Sequence, residues 1–179
     1  DLPSLLKAYA AAGSDARMNG CELPVVINSG SGNQGLTVSV PLIVYAEREH
    51  LDKEKLYRAL VISNLTAIHL KTEIGRLSAF CGAVSAGAAC GAGLAYLKDA
   101  SEEVMNHTIV NALAITSGII CDGAKASCAA KIAVSVEAGI LGYDMYMNGQ
   151  QFYGGDGIIS KGIENTIHNI GVLGSQGMA

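Results

Sequence analysis

The 21 residues from Leu77 to Leu97, LSAFCGAVSAGAACGAGLAYL, carry no charge and consist mostly of glycine, alanine, serine and cysteine. A helix that is apolar on all sides belongs either in a protein core or in a membrane. The stretch is long enough to span a bilayer, but its small residues favour insertion far less than leucine, isoleucine, phenylalanine or valine. We therefore predict a central helix that is buried on every side.

Composition indicates one helical domain around that helix. The chain of 179 residues is 50% hydrophobic and 16% charged, with 22 glycines and no tryptophan. A domain of this length buries about 70% of the surface of its unfolded chain, so one core suffices. Because large side chains are few, the core depends on close approach of helix backbones. We expect an all-α fold in which residues 1–179 form a single domain, as a fragment of a longer chain.

Charge and cysteine content exclude several classes of partner. The net charge is −4 and no cluster of Lys and Arg is longer than a pair, so the chain offers no basic patch that would bind nucleic acid. The first residues lack the pattern of a secretory signal. Five cysteines, an odd number in a chain of this size, favour free or metal-bound thiols in a reducing cytosol. We expect a cytoplasmic protein that binds neither nucleic acid nor a membrane.

Local patterns predict the elements of the first third of the chain. Residues 2–12 favour a short helix that Gly13 ends, and Val25–Ile27 is a brief β-like run before a loop rich in glycine and serine. The segment 36–47, LTVSVPLIVYAE, is apolar and β-branched. Because Pro41 argues against a central strand, we interpret this segment as a kinked helix.

Capping signals place the remaining helices. Asp52 begins a helix that Gly75 ends, and Ser101 begins another with two acids in its first turn. A further helix follows Cys128 and runs to about Gly142, and a short one lies around residues 160–169.

In the segment 117–131, SGIICDGAKASCAAK, two cysteines flank a short run of residues. In an unbroken helix Cys121 and Cys128 would share a face but lie about 10.5 Å apart along the axis, which is too far for one zinc ion bound at about 2.3 Å. Cooperation requires a bend, which Gly123 permits. The simpler alternative is that both are small buried hydrophobes, and a zinc site is disfavoured because there is no CxxC pair and the four histidines are scattered.

Two further cysteines lie in the glycine-rich helix. Cys81 begins it and Cys90 follows nine residues later, about 180° around the axis. At most one of them can face a given centre, and Cys81 is the better ligand candidate, whereas Cys90 is expected to pack in the core.

Five segments, in order along nearly the whole chain, resemble the family of iron–sulfur L-cysteine desulfidases, which is related to the α-chain of iron–sulfur L-serine dehydratases. The most specific element is the triplet Cys81, Cys121 and Cys128, spaced by 40 and 7 residues. The resemblance implies that these thiolates hold a [4Fe–4S] cluster and that no pyridoxal phosphate is used. The segments are SDARMNG (14–20), INSGSGNQGLTVSVP (27–41), CGAVSAGAACGAG (81–93), ICDGAKASCAAK (120–131) and IGVLGSQGM (170–178).

The resemblance also implies an activity. Three protein ligands leave one iron open, and an open iron can act as a Lewis acid. The implied reaction is β-elimination of a small amino acid, L-cysteine, to sulfide, ammonia and pyruvate. L-serine dehydration is the nearest alternative, since only the leaving group differs. An alternative from a different functional class is a non-catalytic helical packing or assembly module, in which the cysteines have no role in chemistry.

Elimination requires donors for the substrate carboxylate and a base. The loop NSGSGNQG offers backbone N–H groups that bind anions, with a ligand-free glycine turn as the alternative. Lys125, beside Asp122, orients substrate or balances the cluster charge, unless it is a solvated loop lysine. The predicted substrate-binding residues are Ser29, Ser31, Gly32, Asn33, Gln34 and Lys125.

The residues assign no catalytic base. His69, His107 and His168 are isolated, and Cys21 matches no catalytic motif. The resemblance implies that a segment preceding this region contributes to the active site, including a cysteine in desulfidases, so the fragment alone need not be active. For assembly we expect a homodimer, because two-fold symmetry is the commonest among soluble oligomers.

Overall fold

Seven α-helices and a terminal π-helical turn follow one another in the computed structural model, which describes residues 1–178. Within that range the chain forms isolated bridges but no strand or sheet, and the predicted all-α class is confirmed. The elements are α1 (Leu2–Met18), α2 (Gly32–Arg48), α3 (Lys53–Ile74), α4 (Gly82–Leu97), α5 (Glu102–Thr116), α6 (Ser127–Met147), α7 (Ile163–Val172) and the π-helical turn Leu173–Gly177.

Helix α4 is the centre of the molecule, as its sequence predicts. Every residue from Ala83 to Ala95 is buried, and α2, α3, α5 and α6 pack around it. Helix α1 covers α6 and α2, while α7 lies against α3 and α5. No helix in residues 1–178 combines the length and the apolar character that crossing a membrane requires.

Small residues let α4 and α6 approach closely. Gly87 and Gly91 lie one helical turn apart on α4 and face Ser135 and Gly139 on α6. A Cβ atom at Gly91 would lie 2.8 Å from the Cα atom of Gly139, and one at Gly87 would overlap the carbonyl group of Ser135. Backbone contact thus replaces the large side chains that this composition lacks.

The predicted caps are present. The Asp52 carboxylate accepts a hydrogen bond from the Lys55 amide at 2.8 Å, and Ser101 accepts one from the Val104 amide at 3.4 Å. Gly75 ends α3 with a φ of 88°, in the region that favours glycine. Pro41 lies inside α2, as the helical interpretation of that segment requires.

Two local predictions are wrong. Helix α1 continues through Gly13 to Met18, because one glycine costs only about 1 kcal/mol in a helix and the face carrying Leu6 and Ala10 is buried. Val25–Ile27 forms no strand, since no neighbouring segment pairs with it. Its β-branched residues Val26 and Ile27 are instead exposed.

Two later boundaries also differ from prediction. Helix α6 runs five residues beyond Gly142, to Met147, because Gly142 packs against α5, where a Cβ atom would lie 2.8 Å from the Thr108 carbonyl oxygen. The short helix predicted around 160–169 begins at Ile163 instead.

Candidate functional site

An isolated antiparallel bridge between Phe80 and Ile120 brings two of the predicted ligands together. The Cys81 amide donates to the Ile119 carbonyl at 3.2 Å, and the Cys121 amide donates to the Ala79 carbonyl at 2.7 Å. Cys81 and Cys121 are therefore diagonal neighbours on one face of the bridge, a relation that separates Cα atoms by about 7–8 Å.

Cys81 is the N-cap residue of α4 and is 7% exposed. Burial raises the pKa of its thiol, and the nearby backbone amide of Ala83 and the charge of Lys131 oppose that rise. The thiolate is the form that binds metals, so the start of the helix and the lysine both favour the form that a metal ligand at this position requires.

The bend that cooperation between Cys121 and Cys128 requires is present at Gly123, which has a φ of 102°. Helix α6 begins only at Ser127, so the two cysteines do not share a continuous helix. The Cys128 thiol folds back toward the Gly123 carbonyl at 3.7 Å.

All three cysteines line one cavity of about 210 Å³, which we call the thiol cavity. It contains no aspartate or glutamate among its lining residues, whereas three cationic side chains reach it. The cavity therefore suits an anionic ligand. Its lining residues are Ser29, Gly30, Ser31, Asn33, Gln34, Lys71, Arg76, Ser78, Phe80, Cys81, Gly82, Ala83, Cys121, Gly123, Ala124, Cys128, Lys131 and Ile132.

The loop before α2 forms one wall of the thiol cavity. Asn28 is buried and bonds through its side-chain amide to the Asn64 carbonyl at 3.2 Å and to the Asn64 side chain at 3.0 Å, which ties the loop to α3. Ser29 and Gly30 have positive φ angles of 50° and 81°. The Ser31 hydroxyl group then caps α2 by accepting a hydrogen bond from the backbone N–H of Gln34 at 3.2 Å.

Gln34 meets the start of α4. Its side chain is buried, and its Oε1 atom has no hydrogen-bond partner in residues 1–178. The side chain lies so close to Gly82 that a Cβ atom there would overlap it. An unsatisfied buried carbonyl is costly, so a rotation of this side chain that brings Oε1 to a donor in the cavity would be favourable.

Asp122 and two lysines form an ion-pair cluster beside the thiols. Lys131 donates to the Asp122 carboxylate at 2.6 Å and to the Ile120 carbonyl at 2.9 Å, and Lys125 pairs with the same carboxylate at 3.0 Å. The two lysine hydrogen bonds lower the pKa of Asp122 to about 2. The cluster fixes the segment that carries Cys121.

The structure brings most of the predicted site residues to the thiol cavity. Ser29, Ser31, Asn33 and Gln34 line it with the three cysteines, but two predicted substrate-binding residues do not. Gly32 lies inside the start of α2, where a Cβ atom would lie 2.7 Å from the Arg17 guanidinium Nε. Lys125 is 50% exposed and paired with Asp122 outside the lining.

The thiol cavity suits a metal cluster better than a single metal ion. No group of three or more His, Cys, Asp and Glu side chains among residues 1–178 is placed to hold a single metal ion. Each thiolate of a cluster binds a different iron, so its ligands lie farther apart than those around one ion. Soft thiolates without competing carboxylates suit an iron–sulfur cluster, and the three thiols of this cavity fit that donor set.

Sequence reasoning missed the cationic residues of the cavity, above all Lys71. This lysine is 7% exposed and continues the buried stripe of Ala59, Ser63 and Ala67 at intervals of four residues. Burial lowers the pKa of its ammonium group, and the charges of Cys121 and Cys81 oppose that shift. A lysine at a buried position of a helix was the signal in the sequence.

The remaining candidates lie outside the thiol cavity. His69 pairs with Glu164 at 2.9 Å and His168 with Glu73 at 2.7 Å, while the His107 ring stacks on Tyr146. Cys21 is exposed and Cys90 is fully buried. These placements agree with assigning none of the histidines as the base.

A second, larger groove of about 650 Å³ lies between the first turns of α5 and the loop that precedes α7. It contains Glu102, Glu103, His107 and Lys161 but no thiol. The smaller thiol cavity remains the candidate site, because soft metal ligands, hydrogen-bonding side chains and unpaired cations meet there.

Comparison with known proteins gives a consistent family. The family model of the serine dehydratase alpha chain matches residues 2–179. The UPF0597 protein of Desulfitobacterium hafniense is 67% identical over 178 residues, which cover 99% of this chain and 41% of that protein. The UPF0597 protein of Finegoldia magna is 57% identical over 175 residues, or 98% of this chain and 42% of that protein.

A more distant relative, the UPF0597 protein of Bacteroides fragilis, is 41% identical over 175 residues, which cover 98% of this chain and 41% of that protein. The chain thus spans about two fifths of the length of the curated relatives it matches. No solved structure matches it significantly.

Proposed function

The chain belongs to the serine dehydratase alpha chain family, and from that membership we propose that it is the part of an iron–sulfur lyase that holds the cluster and the substrate. The reaction is elimination of a leaving group from the β carbon of a small L-amino acid. The observation that carries the proposal is the convergence of Cys81, Cys121 and Cys128 on one cavity without acidic side chains.

The three cysteines are the residues that would hold a [4Fe–4S] cluster. Such a cluster, bound by three thiolates, supplies a Lewis acid at its fourth iron. Around it, the chain supplies the N–H groups at the start of α4, next to Cys81, and the charge of Lys131, both of which favour the thiolate form. The ion pair of Lys131 with Asp122 holds the Cys121 segment in place.

The loop before α2 orients the substrate. Ser29 and Ser31 offer hydroxyl groups at the wall of the thiol cavity, while the Asn33 side chain accepts a hydrogen bond from the Arg17 guanidinium at 3.2 Å and ties the loop to α1. The Gln34 Oε1 atom is buried without a partner within residues 1–178, and after rotation of the side chain it would accept a hydrogen bond from the ammonium group of an amino acid. These contacts would hold the α and β carbons in a fixed relation to the thiols, as an elimination requires.

We propose L-cysteine as the substrate. Loss of the α proton and cleavage of the Cβ–S bond give sulfide and aminoacrylate, which tautomerises to an imine and is hydrolysed to pyruvate and ammonia. The overall balance is L-cysteine and water to sulfide, ammonia and pyruvate. The resemblance of the cysteine triplet and of the loop 27–41 to desulfidases supports this choice, and the thiols favour a cytoplasmic location.

L-serine is the second candidate, and the family description favours it because it names a serine dehydratase. In that reaction water leaves instead of sulfide, and the other products are identical. The same cavity serves both substrates, so the leaving group decides between them.

Rate measurements test the proposal. We expect the full-length protein, purified and reconstituted without oxygen, to form pyruvate from L-cysteine faster than from L-serine. The Cys121→Ala variant should lose this activity, whereas Cys90→Ala, which changes a cysteine outside the cavity, should keep it. A faster rate with L-serine would mean that L-serine, and not L-cysteine, is the substrate. If neither amino acid gives pyruvate, the lyase assignment is wrong.

A further inference from the structure

Two cationic side chains of the thiol cavity have no acidic partner among residues 1–178. Lys71 and Arg76 take part in none of the salt bridges of the described chain. Both also line an adjoining cleft of about 600 Å³, which shares Ser29 and Gly30 with the thiol cavity and contains no acidic residue. The two spaces therefore lie side by side along Lys71 and Arg76, and the thiols line the smaller one.

Of the two, Lys71 is the stronger indication of a ligand because its side chain is buried. Lys71 is 7% exposed, and its side chain donates no hydrogen bond to another group within residues 1–178. Its Nζ atom is not among the fully buried unpaired polar atoms of residues 1–178, so the ammonium group still meets the cavity while the rest of the side chain is buried, and its partial loss of hydration favours an anionic partner. A buried lysine on the wall of an open cavity is therefore a group prepared for an anionic ligand.

The other lysines near the thiols are already occupied. Lys131 donates to Asp122 at 2.6 Å and to the Ile120 carbonyl at 2.9 Å. Lys125 pairs with Asp122 at 3.0 Å, is half exposed and lies outside the lining. Lys71 is thus the mostly buried lysine of the cavity wall whose ammonium group remains free, within residues 1–178, to meet a ligand.

We propose that Lys71 binds the α-carboxylate of the amino-acid substrate and that Arg76, exposed at the mouth of the cleft, attracts the same anion on entry. This inference rests on the proposed function, which supplies an anionic substrate. Lys71 takes the role that the sequence assigned to Lys125, and the loop residues Ser29 and Ser31, which line the same cavity, also bind the substrate.

A pair of substrate fragments tests the assignment directly. 3-Mercaptopropionate keeps the thiol and carboxylate of L-cysteine but lacks the amine, whereas cysteamine keeps the thiol and amine but lacks the carboxylate. We would measure the Kd of each by calorimetry with the full-length, cluster-loaded protein without oxygen. Lys71→Met should weaken binding of 3-mercaptopropionate about tenfold or more, as loss of a charged hydrogen bond predicts, and leave cysteamine nearly unchanged.

Two further variants keep the test decisive. Lys71→Arg retains the positive charge and should restore most of the affinity for 3-mercaptopropionate. Lys55→Met removes a lysine that pairs with Asp99 at 2.8 Å away from the cleft, and it should bind both fragments as the unaltered protein does. With L-cysteine, Lys71→Met should raise KM more than it lowers kcat.

Iron content separates this role from a structural one. If Lys71→Met loses iron while the protein that retains iron binds 3-mercaptopropionate normally, Lys71 serves as a counter-ion to the thiolates and the inference is wrong. Unchanged affinity for 3-mercaptopropionate with normal iron content would also contradict it. If the unaltered protein forms no pyruvate, the proposed function fails, but the binding measurements still decide the role of Lys71.

Discussion

The middle and the start of helix α4 are built from the same small residues, but these residues serve different purposes in the two places. In the middle of the helix, Gly87 and Gly91 bring its backbone against α6 and leave no space. At its start, Cys81 and Gly82 open onto a cavity lined by polar and cationic groups. Glycine and alanine thus build the core where neighbouring helices face them, and leave a cavity beside a buried thiol where the helix begins.

Alanine at one glycine of each part should produce the largest contrast. In Gly87→Ala the new Cβ atom overlaps the Ser135 carbonyl, and because backbone must move, we expect unfolding free energy to fall by about 2–3 kcal/mol. In Gly82→Ala the overlap involves the end of the Gln34 side chain, which can rotate. Stability should change by less than about 1 kcal/mol, while turnover falls because Gln34 moves into the cavity.

Denaturant unfolding of the full-length protein measures both effects. Gly118→Ala is the control, since nothing lies within 4 Å of a Cβ atom there, and it should unfold like the unaltered protein. Equal destabilisation by Gly82→Ala and Gly87→Ala would remove the distinction between the two parts of α4.

A smaller effect is expected at the wall that faces the start of α4. Ser31→Ala removes the N-cap hydrogen bond to the Gln34 amide and should lower the unfolding free energy by about 1 kcal/mol. Ser39→Ala is a matched control in the same helix, because its hydroxyl group only bonds back to the Gly35 carbonyl one turn earlier. If both variants unfold alike, the cap does not hold the loop.

The smallest effect concerns the ion-pair cluster beside the thiols. The Asp122 pKa is about 2, below the ordinary 3.8, because two lysines bond to the carboxylate. As pH falls below about 4, the unfolded chain therefore binds more protons at this residue than the folded chain. The stabilisation is complete above about pH 4 and is lost as pH falls toward 2.

Thermal unfolding of Asp122→Asn checks this dependence. The variant should have a lower Tm than the unaltered protein at pH 7, and the two Tm values should converge as pH approaches 2. A Tm difference that stays constant over this range would mean that Asp122 acts through its shape and not through its charge.

Local patterns were sufficient for much of the fold. The uncharged stretch 77–97 predicted the buried helix, and Asp52, Gly75 and Ser101 predicted helix ends, because capping and burial act over a few residues. The boundary errors have a common cause: the buried face of α1 outweighed Gly13, and packing against α5 extended α6 past Gly142.

The site depended on contacts that sequence spacing does not encode. The bridge between Phe80 and Ile120 joins segments forty residues apart, and only the family resemblance connected Cys81 with Cys121. Lys125 was chosen because it lies between two cysteines, yet its ion pair with Asp122 turns it outward. Lys71 was overlooked, although a lysine in a buried helical stripe was a readable signal.

Iron content and visible absorption after anaerobic reconstitution test the central claim, that the start of α4 and the segment 121–128 hold one cluster. The full-length protein should become brown and bind about four irons. Replacing Cys81, Cys121 or Cys128 by serine should remove colour and iron, whereas Cys90→Ser in the middle of α4 should retain both. A colourless unaltered protein, or variants of the three cysteines that keep full iron content, would contradict the account.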